Sequence, residues 1–73
     1  MEKILLNSKE DLKLAISFFG NKYKSEITEE IANSKYPCIL IGKYAEDIEF
    51  GSGYSFTTIT KDDFNKKSGV SYF

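Results

Sequence analysis

The sequence predicts an α+β domain in which a small mixed or antiparallel sheet of four or five strands carries one main amphipathic helix across one face and a shorter second helix. Three stretches predict it. Cys38-Ile39-Leu40-Ile41 is an unbroken apolar run between Pro37 and Gly42, the pattern of a strand buried on both faces, and it reads as the central strand. Tyr54 and Phe56 alternate with Ser55 and Thr57, and Ile48 and Phe50 alternate with Asp47 and Glu49, the period of two expected of paired strands. Leu12, Ala15, Ile16 and Phe19 recur at i, i+3, i+4, i+7, which is one stripe of a helix.

In chain order, Lys3-Ile4-Leu5-Leu6 is a first strand that Asn7-Ser8 stops. Ser8 to Asp11 has the form of a capping box with Asp in the place of the usual Glu, so the main helix is expected over Ser8 to Phe19. Gly20 then supplies a left-handed residue to end it. Leu14 and Phe18 fall beside the stripe and widen its apolar face. A shorter helix is expected around Glu26 to Ser34, where Glu26, Glu29 and Glu30 lie toward the positive end of the dipole. Gly51-Ser52-Gly53 is expected to be the turn of a β-hairpin, since glycine tolerates positive φ. Thr60 could cap a single helical turn with Asp62 and Asp63 in it, pinned by Phe64. Val70-Ser71-Tyr72-Phe73 alternates as a final strand would.

At 73 residues the chain is read as one domain, 1–73, near the lower limit at which a single core suffices without disulfides or metal. The lone Cys38 permits no intrachain disulfide, and inside an apolar run it reads as a small hydrophobe rather than a nucleophile. There is no charged-then-apolar leader and no stretch of the ~20 apolar residues that a membrane helix needs; a soluble cytoplasmic protein is expected.

The charge balance narrows the function. Ten basic and eleven acidic residues leave a net charge of -1, and every basic residue is lysine. The absence of arginine and of a basic excess argues against nucleic acid as partner, and acids cancelled by lysines argue against a phosphate-backbone mimic. With no histidine, general acid–base chemistry near neutral pH lacks its usual agent. Asp47 and Glu49 are expected on a solvated strand face, and no cluster suggests a metal. No catalytic residue, cofactor or metal ligand is therefore assigned.

The strand Gly53-Tyr54-Ser55-Phe56-Thr57-Thr58-Ile59 resembles the RNP1 strand of RNA-recognition motifs in its aromatic spacing. It departs from it at Ser52, Ser55 and Thr57, where that family has a basic, a Gly or Ala and an aliphatic residue. Ile4-Leu5-Leu6-Asn7 also lacks the stacking aromatic of the family's second motif, and no family is assigned.

Aromatic residues make up 15% of the chain, six Phe and five Tyr, more than so small a core should absorb, and surface rings are enriched in protein interfaces. The expected function is a non-enzymatic protein-binding module, an adaptor or inhibitor of a larger host macromolecule. The arginine-free, Lys/Ile/Asn/Tyr/Phe-rich composition suits an accessory protein of a phage or mobile element. Tyr44, Tyr54, Phe56, Tyr72 and Phe73 are the candidate binding residues, with a homodimer as a further option through the terminal strand. The alternative is single-stranded nucleic-acid binding with Tyr54 and Phe56 as stacking platform.

Overall fold

The computed structural model describes residues 2–47, 49 and 51–69, apart from the side chains of Asp47 and Ser68. Strand β1 (Glu2–Leu6) leads into helix α1 (Leu12–Phe19) and helix α2 (Lys24–Ile31), followed by strands β2 (Cys38–Asp47) and β3 (Gly51–Thr60) and helix α3 (Lys61–Ser68). The sheet is antiparallel throughout, in the order β1-β2-β3.

The apolar run is the central strand, as its composition requires. Cys38, Ile39 and Leu40 are all buried, although successive side chains point to opposite faces. Cys38 and Leu40 join Leu6 on the face covered by α1 and α2, packing with Ala15, Phe19, Tyr23, Ile27 and Ile31. Ile39 belongs to the other face, and so does Lys3 by register, whose Nζ lies 5.4 Å from the ring of Phe64 in α3, so α3 packs against β2 and β3 from that side. Helices therefore lie on both sides of the sheet.

That layering corrects the expected architecture of four or five strands with a main and a shorter helix. Three strands and three helices are present among the described residues. Helices α1 and α2 are equal, at eight residues each. The expected single turn after Thr60 is a full eight-residue helix. Local chemistry accounts for it: the Thr60 hydroxyl accepts from Asp63 N–H at 3.3 Å, Asp62 and Asp63 occupy the first turn, Lys66 and Lys67 the last, and Gly69 is left-handed at φ 75. The expected terminal strand Val70–Phe73 lies outside the described residues.

The hairpin turn is also displaced. Asp47 pairs with Gly51, Glu46 with Ser52 and Ala45 with Gly53, so the two strands face each other up to Asp47 and Gly51, and Gly51-Ser52-Gly53 is strand. Ile48 and Phe50 lie outside the described residues, and Glu49 is exposed in the turn. Only the first glycine needs its freedom, with φ 83 at Gly51 where the chain re-enters the ladder. Gly53 serves a different end: a Cβ there would lie 3.3 Å from the Tyr23 hydroxyl, so its bareness admits a close approach.

The start of α1 departs from the capping box. The Ser8 side chain makes no capping bond, and Lys9–Asp11 forms a 3-10 turn ahead of the helix. Asp11 makes the reciprocal contact instead, its Oδ2 accepting from Asn7 N–H at 2.7 Å. Gly20 has φ 118 and ψ 147, outside the left-handed helical region though still glycine territory. The second helix lies upstream of its expected span, because a 3-10 turn over Asn21–Tyr23 buries Tyr23 and sets the register in which Ile27 and Ile31 follow it inward.

Candidate aromatic binding surface

An antiparallel register puts facing residues on one side of a sheet. Gly42 pairs with Phe56 and Tyr44 with Tyr54, so Tyr44, Tyr54 and Phe56 share the α1/α2 face. Tyr54 and Phe56 are half-buried there and packed against the main core. The Phe19 ring meets Tyr54 edge-on at 5.2 Å and Phe56 at 4.9 Å between centroids, and Tyr23 meets the same two at 5.6 and 5.4 Å. Such edge-to-face contacts add to the area term of burial. Two of the candidate binding residues thus also serve as supports of an aromatic core, each with part of its side chain exposed.

Tyr44 differs. It is 52% exposed, and its ring leans on Tyr54 at 5.3 Å and 69°. On the opposite side of the cluster, Phe18 touches Phe19 at 5.0 Å and 85° and is 54% exposed. Leu14, one helical turn before Phe18, is 58% exposed. A continuous series of ring contacts, Phe18–Phe19–Tyr54–Tyr44, runs from the outer flank of α1 to β2. Its two ends are exposed and its middle is anchored in the core. Leu14, Phe18 and Tyr44 are the large exposed apolar side chains among the described residues. Sequence reading assigned Leu14 and Phe18 to the wide face of a covered helix; their outward position was legible only in that both lie off the stripe of Ala15 and Phe19. Tyr72 and Phe73 lie outside the described residues.

The flank is free because α2 packs elsewhere. Leu12 faces α2 across a hollow of about 270 Å³ that Thr28, Ile31 and Tyr36 also line, on the opposite flank from Leu14 and Phe18 at 100° per residue. Helix α2 packs on β3, and just beyond its end the Ser34 hydroxyl donates to Thr58 Oγ1 at 2.9 Å. Tyr54 N–H donates to the hydroxyl of Tyr23, in the turn before α2, at 3.3 Å.

The chemistry on offer is limited. Cys38 is free and buried, and burial pushes its thiol pKa up, the opposite of what a nucleophile needs. Among the described residues no group of three or more His, Cys, Asp or Glu is placed to hold a metal ion, and no helix is long and apolar enough to cross a membrane. No protein-family model, curated protein or solved structure matches the chain.

Proposed function

We propose that this chain is a non-enzymatic protein-binding module, an adaptor or an inhibitor of a larger macromolecule, that engages its partner through Leu14, Phe18 and Tyr44. The observation that carries the reading is the exposure of Phe18 and Tyr44 at the two ends of one ring series whose centre is fixed in the core, with Leu14 exposed one helical turn before Phe18. Rings held from beneath lose little side-chain freedom on binding, which is what makes aromatic residues effective interface anchors. The partner surface this suits is itself apolar at its centre.

The test is capture from a lysate of the source cell by the full chain and by the double variant Phe18→Ser/Tyr44→Ser. Circular dichroism first establishes that both are folded. The wild type should retain a partner, identified by mass spectrometry, that survives a wash in high salt and is lost from the variant. A partner held equally by both proteins would remove these residues from the interface. One released by salt alone would favour phosphate-driven binding to nucleic acid.

A further inference from the structure

Strand β1 is half the length of the strand it flanks. It pairs with β2 only from Cys38 to Gly42, so beyond Glu2 the residues Lys43 to Asp47 have a strand on their β3 side and none on the other among the described residues. The ladder determines where their backbone groups point. Facing residues of an antiparallel pair exchange both hydrogen bonds or neither. Tyr54 N–H is turned away from β2 toward the Tyr23 hydroxyl, so the Tyr44–Tyr54 pair is of the second kind, and by alternation Glu46–Ser52 is too. The N–H and C=O groups of Tyr44 and Glu46 therefore face the open edge, which is a template for another strand.

The occupant this edge fits is encoded in its own residues. Lys43-Tyr44-Ala45-Glu46-Asp47 is self-complementary when reversed about Ala45: each Lys43 faces an Asp47, each Tyr44 faces a Glu46, and Ala45 faces itself. We propose that this edge pairs antiparallel with the same edge of a second copy of the chain, about a two-fold axis through Ala45. In that register Tyr44 and Glu46 of opposite copies form the hydrogen-bonded pairs, matching the outward groups derived from the ladder. A slip of two residues toward the turn sets Glu46 against Glu46, and like charges directly opposite are unfavourable. A slip of one faces inward residues with outward ones.

The axis is perpendicular to the sheet, so both pairs of helices α1 and α2 stay on one side and the two Tyr44 positions become diagonal neighbours. The symmetry closes at two chains. This inference goes beyond the partner-binding reading, since dimerisation is measured on the pure protein and stands or falls whether or not Phe18 and Tyr44 hold a partner.

Sedimentation equilibrium over a concentration series should show the 8.3 kDa chain converting to a dimer. Lys43→Asp and Asp47→Lys each place like charges opposite one another and should weaken self-association by about tenfold. Mixed together, the two variants present acid against lysine at both ends, and a heterodimer should form at close to wild-type strength. Glu46→Pro, which removes an outward N–H, should give a folded monomer; if it fails to fold, the two charge variants decide alone. A wild type that stays monomeric to about 1 mM, or charge variants that dimerise as the wild type does and show no preference for each other, would overturn the proposal.

Discussion

The Phe19 ring lies on the bare backbone of Gly42, so closely that a Cβ built at Gly42 would collide with Cε1 and sit 2.7 Å from Cζ. Gly42 is buried within β2, and its φ is not among the positive ones. The glycine is therefore required by the close approach and not by the backbone. Through this contact the C-terminal end of α1 is seated on the sheet, and Phe19 in turn meets Phe18, Tyr54 and Phe56.

Gly42→Ala should accordingly destabilise the protein by about 1–3 kcal/mol, the cost of overpacking a core, even though alanine suits a strand better than glycine does. Combining it with Phe19→Leu, which removes the ring, should cost less than the sum of the two single changes, because the residues share one space. Urea unfolding of the four proteins measures the coupling; strict additivity would show that the ring can move aside freely.

Phe18 and Phe19 are neighbours with opposite duties. Phe19 is buried and Phe18 is 54% exposed. Phe19→Ala should cost about 3–5 kcal/mol, a large part of the stability of so small a domain. Phe18→Ala should stay within about 0.5 kcal/mol while weakening partner capture. Equal losses of stability at the two positions would place the α1 register in error.

The central strand, the α1 stripe and the strand that carries Tyr54 and Phe56 were foreshadowed by periodicity, because burial on one or both faces leaves a direct mark on the order of apolar residues; the partner stretch of that strand was not, since Tyr44 and not the Ile48/Phe50 alternation pairs with Tyr54. Nor was the turn. Gly51 and Gly53 look alike in sequence, yet one is needed for its φ and the other for what lies against it, and no local pattern separates these uses. The extent of α3 was hidden for a related reason: Phe64 is its single large apolar residue, so there is no stripe to find, and capping sets its length. Exposure at Leu14 and Phe18 depended on where α2 packs, a tertiary fact that the width of an apolar face does not reveal.

Cys38 makes stability depend on alkaline pH. Burial raises its folded pKa, and it also raises that of Tyr36, with smaller upward contributions from the charges of Cys38 and Asp11. Above a thiol's unfolded pKa of about 8.5 the unfolded chain has lost a proton that the folded chain keeps, so stability falls with rising pH. The contribution is complete below that value and is lost as pH climbs through the raised folded pKa. Urea midpoints taken between about pH 7 and 9.5 should fall for the wild type and change less for Cys38→Ala. A thiol reagent should label the native protein slowly and the urea-unfolded protein at once; fast native labelling would mean the thiol is accessible.

The second face of the sheet supplies the last prediction. Ile39 is fully buried yet stands apart from the main cluster, so something on the far side must cover it. Register places Leu5 and Ile59 beside it in the sheet, and α3 packs on β2 and β3. Phe64 is half-buried, and its ring lies 5.4 Å from Lys3 Nζ, a residue on the same face as Ile39 by alternation. The helix is short, strongly charged and held at its start by the Thr60 cap, so without the ring it has little reason to stay folded on the sheet. Phe64→Ala should cost about 2 kcal/mol, less than a fully buried phenylalanine, and Thr60→Ala about 1 kcal/mol through the lost cap. Hydrogen exchange locates the effect: amides of α3 should lose protection in both variants, while those of α1 and α2 should keep theirs relative to global unfolding. If Phe64→Ala leaves α3 protected and the protein equally stable, Ile39 is covered by its strand neighbours alone and α3 is an appendage.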